Sequence, residues 1–145
     1  MRLSTKMRYG TRGLLELALH FDQGPLSLAE IAERENISAK YLESLLGLLR
    51  SGGLVHSLRG AQGGYELSRP PREITLREVF KVLEGPEAFV PCTDDHAACT
   101  RWPDCVTQQV WARMYAAAMQ VLKETTLADL AEQAQARHST LAYDI

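Results

Sequence analysis

Residues 37–67 read ISAKYLESLLGLLRSGGLVHSLRGAQGGYEL, and two periodicities stand back to back in them. From Ala39 to Arg50 the apolar residues Tyr41, Leu42, Leu45, Leu46 and Leu49 recur at helical spacing. Ser38 stands where a hydroxyl can accept a hydrogen bond from a free amide of the first turn. Gly52-Gly53 stops the helix, Leu54–Leu58 reads as a short strand, and Tyr65–Leu67 as its return. Between the strands, Arg59-Gly-Ala-Gln-Gly-Gly64 is a glycine-rich tip.

Upstream, Ser27-Leu-Ala-Glu30 is a capping box that opens a short helix carrying Leu28, Ile31 and Ala32, and Asn36 breaks it. Before it, Tyr9 to Phe21 has Leu14, Leu15, Ala18, Leu19 and Phe21 on one helical face, ended by Gly24-Pro25. A longer helix, then two short ones around a tight polar turn, is a helix-turn-helix pattern. A hairpin directly after it makes a winged helix.

Downstream, Ser68–Pro71 turns the chain out of the hairpin, and Thr75-Leu-Arg-Glu78 is a second capping box. The helix it opens carries Leu76, Val79, Phe80 and Leu83, and Gly85-Pro86 closes it. From Val106 to about Lys123, Val106, Val110, Met114, Ala117 and Val121 approach a heptad seam. Trp111, Tyr115, Ala118 and Leu122 widen that seam into a face larger than one small domain can cover, which predicts a homodimer helix. Thr126-Leu-Ala-Asp129 caps a short last helix. The expected architecture is mostly α: a winged helix-turn-helix domain over 1–85, a cysteine-bearing loop over 86–105, a long C-terminal dimerisation helix and short final helix over 106–136, and a tail over 137–145.

A chain of 145 residues, 46% hydrophobic, is one ordinary domain with a real core. The net charge of −2 conceals an uneven split. Residues 1–60 carry eight Lys/Arg against six Asp/Glu, and 61–145 carry eight against twelve, so the basic half is the one suited to nucleic acid. No apolar run approaches the roughly 20 residues of a membrane span. The basic start MRLSTKMRYGTRG leads into no signal-type core, which predicts a cytoplasmic protein. No nucleophile–base pair appears, and Gly60–Gly64 lacks the lysine and helix context of a phosphate loop, so neither an enzyme nor a small-molecule substrate is expected.

On this plan the second helix of the pair would present Ser38, Lys40, Tyr41, Glu43 and Ser44 to the major groove. Ser27 opens the helix before it. Arg59, beside Gly60 and Gly63, would enter a minor groove, whose negative potential attracts arginine. Arg2 and Lys6 would sit on phosphates.

All three cysteines, Cys92, Cys99 and Cys105, fall in PCTDDHAACTRWPDC, residues 91–105. A disulfide would use two and strand the third, and clustered thiols in a reducing compartment are more often metal or redox groups. The spacing by itself allows zinc.

The segments MRLSTKMRYG, ISAKYLESLLGLLRSGGLV and RGAQGGYELSRPPREITLREVFKVLEG resemble the iron–sulfur cluster regulator IscR. The resemblance extends to its wider family of winged-helix bacterial repressors, which includes NsrR and CymR, over roughly residues 1–130. It implies a dimeric transcriptional regulator that binds double-stranded operator DNA and holds an iron–sulfur cluster, [2Fe-2S] in preference to [4Fe-4S], on Cys92, Cys99 and Cys105. A zinc-bound or cluster-free regulator of sulfur metabolism, acting partly through protein contact, is the alternative. The chain departs from the family at the fourth ligand. IscR-type regulators carry a histidine three residues past the last cysteine, where Gln108 stands, and NsrR-type proteins use a partner's carboxylate, where Arg8 stands. The remaining candidates are His96, Asp94, Asp95, Asp104 and the amide oxygen of Gln108.

Overall fold

The computed structural model describes residues 3–85, 92, 95, 97 and 99–143. The described elements are α1 (Thr5–Leu19), α2 (Leu28–Glu35), α3 (Ala39–Ser51), β1 (Val55–Leu58), β2 (Gly64–Leu67), α4 (Leu76–Glu84), α5 (Val106–Glu124) and α6 (Leu127–Tyr143). Short 3-10 turns occupy Pro71–Glu73 and Trp102–Asp104. Among the described residues no helix is long and apolar enough to cross a membrane.

Local hydrogen bonding sets most boundaries where the sequence places them. In the box at α2, Ser27 N–H donates to Glu30 Oε2 at 2.8 Å, and Glu30 N–H donates to Ser27 Oγ at 3.2 Å. Asn36 ends the helix in the left-handed region at φ 50°, a conformation asparagine tolerates better than most residues. Thr75 and Glu78 repeat the box at α4, and Thr126 with Asp129 forms an equivalent one at α6. β1 and β2 pair antiparallel from Val55↔Leu67 to Leu58↔Gly64. Leu26 extends the sheet by one bridge, with its N–H on Tyr65 O at 3.0 Å and its carbonyl accepting from Tyr65 at 2.8 Å.

The first helix begins earlier than its apolar pattern suggests, because Ser4 caps it at Met7 N–H, 3.1 Å away. Its buried face includes Met7, Gly10 and Gly13, and glycine carries no hydropathy signal to mark such a face. Ser4 Oγ also hydrogen-bonds Glu84 Oε1, which ties the start of α1 to the end of α4. One continuous core joins Leu14, Ile31, Leu42, Leu46, Leu49, Ile74, Val79 and Leu83 across α1 to α4.

The C-terminal part corrects the expected organisation. The spacing predicts a short final helix ending by residue 136 and a tail over 137–145, whereas α6 runs unbroken to Tyr143. Leu127 N–H donates to Ile74 O at 3.0 Å, and Leu76 N–H to Thr125 O at 2.9 Å, so the chain returns to the winged-helix body. Leu127 is fully buried there with Ala131 beside it. A leucine placed to fill a core that is distant in sequence carries no local mark of its destination.

The broad apolar face of α5 divides in two. Gln108, Ala112, Tyr115, Met119 and Leu122 lie on the more covered side of the helix. Val106, Val110, Trp111, Met114 and Val121 are exposed, Val106 at 76% and Val121 at 62%. Among the described residues, the near-heptad positions are therefore the uncovered ones.

Candidate nucleic-acid interface and thiol segment

Leu42, Leu45, Leu46 and Leu49 have no exposed surface, and burying that stripe fixes the rotation of α3 about its axis. Lys40, Glu43, Ser44 and Ser51 consequently point to solvent. Ser38, at the start of the helix, is exposed, and its hydroxyl accepts from Tyr41 N–H at 3.2 Å. Tyr41 stands apart from the other four expected contacts. Its hydroxyl donates to Thr5 Oγ1 at 3.2 Å and its ring meets Tyr9 edge-on at 6.1 Å, so it braces α3 against α1. Ser27 is half-buried, with its hydroxyl engaged by Glu30.

The wing presents Arg59 and Gly60 at its exposed tip. Gly60 has φ 111°, and Gly63 N–H closes the tip on Gly60 O at 3.0 Å. A Cβ at Gly63 would overlap the carbonyl oxygen of Leu58, so that position has no room for any other residue. Among the described residues Arg59, Lys40 and Lys6 enter no ion pair, which leaves their charges available to an outside anion. Lys6 is exposed on the first turn of α1; Arg2 lies outside the described residues. One contact has no signature in the sequence. Arg50 Nη1 donates to Ser57 Oγ at 3.1 Å and links the end of α3 to β1, so helix and wing hold a common setting.

Cys92, Cys99 and Cys105 are free and half-buried. Trp102 N–H donates to Cys99 O at 3.1 Å, and Cys105 N–H to Trp102 O at 3.5 Å, so one short turn joins the last two thiols. Cys105 is the N-cap residue of α5. The Thr107 hydroxyl, 3.3 Å from its sulfur, and then the Gln108 amide favour the thiolate and hold this thiol below its ordinary range. Gln108 is 7% exposed and lines a hollow of about 430 Å³ with Trp102, Asp104 and Cys105. Asp95 and Asp104 are exposed, while His96 and Asp94 lie outside the described residues. Among the described residues no three His, Cys, Asp or Glu side chains converge as they would around a metal ion.

A helix held by its leucines with a polar arc outward, locked to a glycine-tipped hairpin that bears an exposed arginine, defines a winged-helix DNA-binding regulator. A family model described as Rrf2, iron-dependent transcriptional regulator, matches residues 3–133, and the chain belongs to the Rrf2 family. That family consists of transcriptional regulators rather than enzymes. The chain is 41% identical to Protein rrf2 of Nitratidesulfovibrio vulgaris over 134 residues, covering 92% of this chain and 89% of that one. It is similar to the structure of T. potens IscR, with a TM-score of 0.77, 42% identity and coverage of 92% and 88% of the two chains. The structure of CymR, described as the global cysteine regulator of B. subtilis, is comparably near at a TM-score of 0.78, 42% identity and coverage of 92% and 98%.

Proposed function

We propose that this regulator is an operator-binding repressor of the cytoplasm whose grip on DNA depends on an iron–sulfur cluster held by Cys92, Cys99 and Cys105. The observation that carries this reading is the collection of every thiol of the chain, all free, on the segment that leads into α5. The donor set suits the group, since thiolates are the usual ligands of iron–sulfur iron. The lowered thiol of Cys105 is already biased toward the ligating form. Bound there, a cluster supplies a centre that oxidants, nitric oxide or iron shortage can take apart, with [2Fe-2S] favoured over [4Fe-4S]. Gln108 or His96 supplies the fourth contact.

The chain's own residues then do the rest. The exposed row Val106, Val110, Met114 and Val121 meets the same row of a second copy, which sets two reading heads at a fixed separation. Operator half-sites about one DNA turn apart, roughly 34–36 Å, match only one such setting. In each head Ser38, Lys40, Glu43 and Ser44 face the major groove, the first turns of α1 and α2 lie toward phosphates, and Arg59 enters the minor groove. Cys105 stands at the start of the pairing helix, so a change at this thiol bears on how the two heads are held.

The likeness to CymR favours a second reading, a zinc-bound or cluster-free regulator of sulfur metabolism that acts partly through protein contact. Absorption spectra of protein purified without oxygen, with iron, sulfide and zinc assays, separate the two. Visible bands with iron and sulfide in equal amounts, lost when any one of Cys92, Cys99 or Cys105 becomes alanine in a folded protein, support the cluster. Colourless protein with one zinc per subunit, or with no metal, overturns it.

A further inference from the structure

Nine of the ten glycines have a reason within the molecule. Gly24, Gly53, Gly60 and Gly85 take positive φ, and a Cβ at Gly10, Gly13, Gly52, Gly63 or Gly64 would press on a neighbouring atom at 3.2 Å or less. Gly47 has neither reason. It lies inside α3 with no described residue within 4 Å of the place its Cβ would take. Apart from proline, no residue favours a helix interior less than glycine, so α3 is weakened at this point without a packing gain among the described residues. The position also has a direction. With Leu42, Leu45, Leu46 and Leu49 buried on the far side, residue 47 falls near the middle of the outward arc. Ser44 stands one turn before it and Ser51 one turn after, and the Ser51 hydroxyl already occupies the Gly47 carbonyl at 3.0 Å.

We propose that Gly47 is the point of closest approach between α3 and operator DNA, a specificity-determining position at which the missing side chain sets how deep the helix sits. This rests on α3 being the reading helix, as proposed above. The reach of its neighbours supplies the reason. Ser44 has a short side chain, and its hydroxyl meets a base edge only if the helix backbone lies deep in the groove. A methyl at position 47 would lift the axis by about 1.5 Å, one carbon–carbon bond. Hydrogen bonds of ordinary length do not survive an outward shift of that size. Phosphate contacts from long, mobile lysines can follow such a shift, so the loss falls on sequence-specific binding rather than on general affinity for duplex.

The test is Gly47→Ala, with Gly47→Leu as a larger step, on full-length protein. The probe is a duplex that the wild-type protein selects from a random-sequence pool, set beside an unrelated duplex of equal length. Gly47→Ala is expected to raise the thermal midpoint by a few degrees, since alanine is the better helix former and the space is open. It is also expected to weaken binding to the selected duplex at least tenfold while changing the unrelated duplex less than twofold, and Gly47→Leu weakens specific binding further. A packing role would instead lower stability and leave the ratio of specific to unrelated binding unchanged. Lys40→Ala and Glu43→Ala serve as controls. Should those variants lose affinity while Gly47→Ala binds like wild type, the closest-approach assignment is overturned and α3 remains the reading helix. Should all of them bind like wild type, the assignment of α3 itself is wrong.

Discussion

Gly10 and Leu83 form a hole and a knob between α1 and α4, and the pair gives a quantitative test of how these two helices pack. A Cβ at Gly10 would lie 2.5 Å from Leu83 Cδ1, and Leu83, at 2% exposure, has little room to turn away. Leu83→Ala removes that carbon and opens a cavity, at a cost of about 3 kcal/mol. Gly10→Ala forces the overlap, at about 2 kcal/mol of strain offset by about 1 kcal/mol of helix propensity, for a net loss of about 1 kcal/mol. Independent effects would sum to about 4 kcal/mol. In the double variant the methyl added at position 10 enters the space that Leu83 vacates, the strain vanishes and part of the cavity is filled. The double variant should therefore lose only about 2 kcal/mol, a coupling of about 2 kcal/mol within the range measured for residues in contact. Urea unfolding followed by circular dichroism, with linear extrapolation and at one fixed protein concentration, measures all four species. A double variant that loses about 4 kcal/mol, with unchanged denaturant slope, would refute the packing argument. So would a Gly10→Ala protein more stable than wild type.

If the proposed dimer pairs through α5, replacing Val110 and Met114 together by glutamate should yield a folded monomer in sedimentation equilibrium where the wild type is a dimer, because both side chains are exposed on α5. A dimer that persists would put the pairing surface elsewhere. Arg59→Ala should weaken operator binding by about 1–3 kcal/mol in a mobility-shift titration, and an unchanged midpoint would remove the wing from the interface. Asp129 concerns acid stability. The Thr126 amide and then its hydroxyl hold the Asp129 carboxyl below its usual 3.8. A pKa depressed by folding stabilises the protein above the ordinary value and ceases to do so as pH falls through the folded one. Asp129→Asn should therefore lower the thermal midpoint at neutral pH, with the gap to wild type narrowing below about pH 4. A gap that stays constant into acid would show that the carboxylate's charge is irrelevant there.

The winged helix was legible in the sequence because its punctuation is local. Ser27 with Glu30, Thr75 with Glu78 and Thr126 with Asp129 each close a box across three residues, so residue type and spacing settle them without reference to the rest of the chain. The same holds for Asn36 in its left-handed cap and for the glycines that turn the wing. The family followed from those motifs together with the cysteine segment, and the match over residues 3–133 bears it out. Local patterns do not reach partners distant in sequence. The stretch after Thr126 carries no mark that Leu127 returns to the core beside Ile74 or that the helix continues to Tyr143. Tyr41 fits an apolar stripe and a reading face equally well until Thr5 and Tyr9, more than thirty residues earlier, take up its hydroxyl and its ring. The apolar face of α5 could be seen as too broad, but only packing against the body separates the stripe of Tyr115 and Leu122 from the exposed row of Val106, Val110 and Val121. Gly10, Gly13 and Gly47 were silent for the same reason. A residue without a side chain shows its purpose only through what lies next to it, which for the first two is a leucine of another helix and for the third is nothing among the described residues.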